Sequence, residues 1–159
     1  MHKDSQGFEQ TCVLGDLAAT DALGARIAAS ITVGDAVALQ GDLGAGKTTL
    51  ARAILRALGV TEAVPSPTFT LVQSYDTTRL TVRHFDLYRI VDGSELGELG
   101  IDEALDEGAA LIEWPERAGT RLPGDALHIE LTTNAQVGRA HVSGPLRWAN
   151  AFAGMAPVN

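Results

Sequence analysis

Ala36-Val37-Ala38-Leu39-Gln40-Gly41-Asp42-Leu43-Gly44-Ala45-Gly46-Lys47-Thr48-Thr49 is the stretch that decides the fold of this chain. Ala36 to Leu39 is a continuous apolar run, the pattern of a strand buried on both faces. Gly41 to Thr48 meets G-x-x-x-x-G-K-[ST] at every fixed position. Beyond it Leu50, Ile54 and Leu58 share one helical face, and Gly59 supplies a helix stop. A chain with this glycine, lysine and hydroxyl content yields about 0.003 such matches by chance. The stretch therefore reads as strand, phosphate-binding loop and helix.

Each residue of the loop has a chemical reason. Triphosphate oxygens require several donors converging from one side, and glycines let backbone N–H groups approach without Cβ obstruction. The helix that follows begins with unpaired N–H groups and the positive end of its dipole. Gly44, Ala45 and Gly46 are expected to wrap the phosphates and Lys47 to bridge the β- and γ-phosphates. The Thr48 hydroxyl is expected on Mg²⁺, with Thr49 donating to the α-phosphate. The expected ligands are ATP or ADP with Mg²⁺.

A further acid should meet the phosphates from the end of a neighbouring strand. Ala109-Ala110-Leu111-Ile112 is apolar and ends in Glu113; Asp86, within His84-Phe85-Asp86-Leu87-Tyr88-Arg89, sits on a less apolar strand. Mg²⁺ takes hard oxygen ligands and retains several waters, so one acid can touch the metal while the other positions the attacking water. We favour Glu113 for the metal and Asp86 for the water or an outer position, the converse remaining open. Lys47, Asp86 and Glu113 then form the catalytic set. His84 reads as a structural strand residue, and Asp102 to Glu107 as a solvated helix face.

Further strands are expected at Phe8 to Leu14, Leu71 to Tyr75, Leu80 to Leu87, Ala126 to Thr132 and Arg139 to Ser143, the last two as a closing hairpin. Asp16 offers an N-cap to a helix carrying Thr20, Leu23, Gly24, Ile27 and Ile31 at helical spacing. Short helices are expected at Ser94 to Leu99 and Ile101 to Asp106, and a terminal one at Leu146 to Phe152. Pro65 and Pro67 make Val64 to Thr70 a stiffened loop. This alternation predicts an α/β fold over residues 1–159: a single P-loop NTPase domain, its mixed sheet flanked by helices on both faces with antiparallel additions. From about residue 145 the tail is expected to be helical or partly disordered.

A chain of 159 residues is one domain's worth of polypeptide. No stretch approaches the ~20 apolar residues of a membrane span, and Met1 to Gly7 show no signal-peptide core. Cys12, alone, cannot form an internal disulfide, so a reducing cytoplasmic location is expected. The chain has 12 basic and 20 acidic residues, a formal net charge of −8. It lacks the clustered cations that autonomous nucleic-acid binding draws on, so nucleic acid would be reached through a partner.

Four motifs in order, the phosphate loop through Thr49, Ser66-Pro67-Thr68-Phe69-Thr70-Leu71-Val72, His84-Phe85-Asp86-Leu87-Tyr88-Arg89 and Glu113-Trp114-Pro115, carry a resemblance from about Asp16 to Pro123. Together they resemble the TsaE (also called YjeE) family, small P-loop ATPases of bacterial tRNA threonylcarbamoyladenosine biosynthesis. The resemblance implies ATP hydrolysis coupled to a complex of TsaD and TsaB, which transfers threonylcarbamoyl to adenosine 37 of tRNA. It implies that the ATPase resets that machinery and meets tRNA only indirectly. It also implies a switch loop at Ser66-Pro67-Thr68 with Thr68 near the γ-phosphate, and Thr20 near the adenine. Trp114 would line the nucleotide site or a partner surface, and Arg139 would reach the nucleotide across the sheet. A rigid turn, a core threonine, a core tryptophan and a solvated arginine are the plain alternatives for these positions. Phe69 stands where tyrosine is common in the family.

Three other functions use the same loop. A small-molecule kinase needs an arginine-bearing lid, which the scattered arginines do not suggest. A GTPase needs an N-K-x-D segment, and none is present. A nucleotide-gated, non-enzymatic scaffold would bind without turnover.

Overall fold

The apolar run before the phosphate loop lies in the middle of a seven-stranded mixed sheet. The computed structural model describes residues 7–42, 44–67, 70–91, 94–134 and 137–154. In chain order the elements are β1 (Gly7–Leu14), α1 (Leu17–Ser30), β2 (Ala36–Gln40), α2 (Lys47–Ala57), β3 (Val72–Asp76) and β4 (Thr81–Asp86). Then come α3 (Ser94–Leu99), α4 (Ile101–Glu107), β5 (Gly108–Glu113), β6 (Leu127–Asn134) and β7 (Val137–Pro145). Two 3₁₀ helices, Pro115–Arg121 and Leu146–Phe152, follow β5 and β7.

The strand order is β1-β7-β6-β2-β5-β4-β3. The inner four strands run parallel, while β1, β7 and β3 are antiparallel additions. Because side chains alternate along a strand, β2 sends Val37 and Leu39 toward one core and Ala36 toward the other. β5 does the same with Leu111 and Ile112. The first core holds α1, α2 and the terminal 3₁₀ helix; the second holds α3, α4 and the other 3₁₀ helix. The fold class is thus the expected one, with helices on both faces.

Local chemistry sets the helix ends. The Asp16 carboxylate accepts from the Ala19 N–H at 2.9 Å, capping α1. At the end of α2, Gly59 donates to the Arg56 carbonyl and Val60 to that of Leu55, the paired bonds of a Schellman stop. Leu146–Phe152, expected as an ordinary helix or a loose tail, is instead a 3₁₀ turn anchored by buried Trp148 and Phe152. Phe152 stacks on Phe8 of β1 with ring centroids 5.6 Å apart; this long-range contact has no local sequence signature. Pro115–Arg121 is a 3₁₀ segment, which carries no amphipathic period, and the sequence reading assigns it no element. Cys12 is buried and unpaired. Among the described residues no helix is long and apolar enough to cross a membrane.

α1 and α2 touch backbone to backbone at Gly24. A Cβ there would lie 2.6 Å from the Ala53 Cβ and 2.8 Å from its carbonyl carbon. Overpacking costs about 1–3 kcal/mol, and contact with helix backbone puts this case toward the upper end, beyond the ~1 kcal/mol of helix propensity gained. Gly24→Ala is therefore expected to lower the urea midpoint with the slope unchanged.

Candidate functional site

Gly41 to Gly46 leave β2 in the centre of the sheet, between the carboxyl ends of β5 and β6, where open α/β sheets form their ligand crevice. Two glycines are needed for different reasons. A Cβ at Gly41 would sit 2.6 Å from the Leu131 carbonyl oxygen of β6. Gly46 caps α2 at φ 105°, a left-handed conformation that side chains resist, and it has no side-chain acceptor for the first-turn amides. Those N–H groups therefore open on a cavity of about 330 Å³.

Gly44, Gly46, Lys47, Thr48 and Thr49 form one wall of this cavity; Ser66, Asp86, Tyr88, Glu113 and Trp114 form the rest. Asp86 and Glu113 end adjacent parallel strands and are register partners. Both are buried. The Thr48 hydroxyl lies 3.0 and 2.9 Å from the two Glu113 carboxylate oxygens. Asp86 accepts from the Tyr88 N–H at 2.9 Å, which steadies the chain as it turns out of β4.

Lys47 donates to the carbonyls of Gly41 at 2.7 Å and Asp42 at 2.8 Å. Its ammonium also stands 4.3 Å from the centre of the Trp114 ring. Burial lowers the Lys47 pKa below the ordinary lysine value, while Glu113, then Asp86, Glu116 and Asp42, oppose the shift. The Trp114 ring is tilted against Tyr88 at 4.9 Å. Its backbone is left-handed at φ 59°, costing about 1–2 kcal/mol for a residue with a Cβ. That bend turns the chain from β5 into the 3₁₀ helix and brings the indole back over the cavity.

The donor chemistry suits a small divalent cation: one hydroxyl and two carboxylates, all hard oxygens, beside a loop shaped for phosphate. No group of three or more His, Cys, Asp or Glu able to hold a metal occurs among the described residues.

The expected site residues Gly44, Gly46, Lys47, Thr48, Thr49, Asp86, Glu113 and Trp114 thus meet at one cavity. Ala45 faces a second cavity of about 450 Å³ on the other side of the loop, with Gly41, Asp42, Gly44 and Glu130 to Thr133. Thr20, on the second turn of α1, and Arg139, whose register partner is Thr132, line neither cavity. Thr68 and Phe69 lie outside the described residues. The sequence reading gave no site role to Tyr88, which walls the cavity, or to His84. The fully buried His84 Nε2 lies 2.6 Å from Glu113. Its signal was the i, i+2 spacing with Asp86, which puts both on one face of a strand.

A family model described as "Threonylcarbamoyl adenosine biosynthesis protein TsaE" matches residues 14–141. The chain belongs to the TsaE family. Curated TsaE relatives, each named a tRNA threonylcarbamoyladenosine biosynthesis protein, include that of Bacillus subtilis, 41% identical over 69% of this chain and 69% of its own length. The Haemophilus influenzae TsaE is 40% identical over 67% of this chain and 75% of its own. Among solved structures, YdiB of Bacillus subtilis superposes with a TM-score of 0.76 at 28% identity, covering 91% of this chain and 92% of that one. The TsaE match to residues 14–141 begins at the last residue of β1 and runs into β7, so it takes in the phosphate loop and both strand-end acids.

Proposed function

We propose that this chain is the Mg²⁺-dependent ATPase of tRNA threonylcarbamoyladenosine modification, slow alone and stimulated by TsaD and TsaB in the cytoplasm. In this reading tRNA is met only through the partner complex. One observation carries the chemistry: Thr48 of the phosphate loop is clasped by the buried Glu113 carboxylate, whose register partner is Asp86. Membership of the TsaE family carries the biological context.

On this reading the first-turn amides of α2 hold the phosphate oxygens, and Lys47 exchanges the Gly41 and Asp42 carbonyls for the β- and γ-phosphates. Thr48 and Glu113 would hold Mg²⁺, which when bound neutralises charge developing on the phosphates. Asp86, at the end of β4, orients the attacking water, and Trp114 with Tyr88 closes the cavity against bulk solvent.

Labelled ATP tests this. Purified protein is expected to release free phosphate slowly with Mg²⁺, faster once TsaD and TsaB are added. A labelled phosphoester formed from a metabolite pool would make it a kinase. Tight binding with no phosphate release, even with both partners, would make it a scaffold.

A further inference from the structure

His84 is fully buried on β4, on the face that also carries Val82 and Asp86. Its Nε2 lies 2.6 Å from Glu113 Oε2. A carboxylate only accepts, so Nε2 is the protonated nitrogen and donates. The other ring nitrogen, Nδ1, has no hydrogen-bond partner among the described residues. Packing alone does not call for an imidazole here: Val82, two residues earlier on the same face, is an aliphatic side chain in the first core. A ring that leaves one nitrogen unsatisfied is explained by the single bond it makes.

That bond has a defined consequence. Glu113 Oε2 is shared between His84 and the Thr48 hydroxyl, while Oε1 is 3.0 Å from Thr48. Thr48 stands on the first turn of a helix whose amides face the phosphate cavity, so it is the partner that answers to ligand. His84 belongs to a strand hydrogen-bonded on both sides and is the fixed partner. With His84 holding Oε2, the carboxylate plane is set before any ligand arrives and Oε1 stays directed at Thr48. Without it, the carboxylate is left to the Thr48 hydroxyl, the partner that moves with the ligand.

We infer that His84 is a positioning residue that locks the Glu113 carboxylate for the Thr48–Glu113 divalent-cation site. This rests on the reading of that site given under Proposed function. Groups hydrogen-bonded to metal ligands typically contribute on the order of 10–100-fold to metal affinity.

The test is Mn²⁺ affinity of the ADP complex, measured by electron paramagnetic resonance, beside ADP affinity in EDTA by calorimetry. His84→Leu is expected to weaken Mn²⁺ at least about tenfold while ADP affinity in EDTA stays within about twofold. His84→Gln, whose amide reaches the Nε2 position, is expected to restore most of the loss. Should leucine unfold the chain, His84→Asn replaces it with the same expected loss, because its amide reaches only the Nδ1 position. Wild-type Mn²⁺ affinity in the leucine or asparagine variant, or no recovery with glutamine, overturns the inference. If the unmodified protein binds ADP but its complex takes up no Mn²⁺, the reading of the cation site falls, and this inference with it.

Discussion

Lys47→Ala is expected to lower Mg²⁺-dependent ATP hydrolysis by at least about a hundredfold while leaving the far-ultraviolet circular dichroism unchanged. The ammonium is held over the cavity by two loop carbonyls and the Trp114 face. It is the cation of the cavity wall, facing two buried carboxylates there. Once phosphate enters, the charge that builds on the transferring group has no other lysine or arginine among the described residues of that wall to meet it. The fold should tolerate the loss. Because burial lowers the Lys47 pKa, the unfolded chain binds this proton more tightly than the folded one. Its contribution to stability is therefore unfavourable at neutral pH and is relieved as pH rises from the folded value toward the unfolded one. Alanine removes that alkaline rise. Turnover at the wild-type rate in the purified variant would take the lysine out of the chemistry.

Glu113 separates into two experiments. Glu113→Gln keeps the shape of the side chain and an oxygen that can accept from His84, but removes the charge. Hydrolysis is expected to fall at least about a hundredfold, with ADP still bound in EDTA and thermal stability close to the parent. Glu113→Ala is expected to lose hydrolysis to the same degree and stability as well, because it leaves the buried His84 N–H without its acceptor. An orphaned buried donor costs about 1–3 kcal/mol, seen as a fall of several degrees in Tm. Equal melting of the two variants would mean that the histidine finds another partner. Wild-type hydrolysis in the glutamine variant would remove the carboxylate charge from the mechanism.

The parts of the site legible in the sequence are those whose chemistry is local. Gly41, Gly46, Lys47 and Thr48 lie within eight residues and act through one turn of backbone, so their spacing alone carries the meaning. Glu113 was legible as an acid ending an apolar run and Asp86 as one on a less apolar strand, although they are 27 positions apart. Their burial and their direct pairing were not, because both follow from the parallel register of β4 and β5. His84 was underread for the same reason: its i, i+2 spacing with Asp86 marks a shared strand face but not a hydrogen-bond partner, and that partner lies 29 residues away.

The sequence by itself determined the phosphate loop, the alternation of strands and helices, the cap at Asp16 and the stop at Gly59. Each rests on side-chain type and on short-range periodicity or hydrogen bonding. Only the tertiary structure decided that β1 pairs with β7 at the sheet edge, that the last turn is a 3₁₀ segment locked by Trp148 and Phe152, and that Trp114 bends back over Lys47. Strand order, crossing distance and ring contacts depend on which surfaces meet once the chain closes on itself, and such long-range pairings leave no pattern in any one stretch of residues.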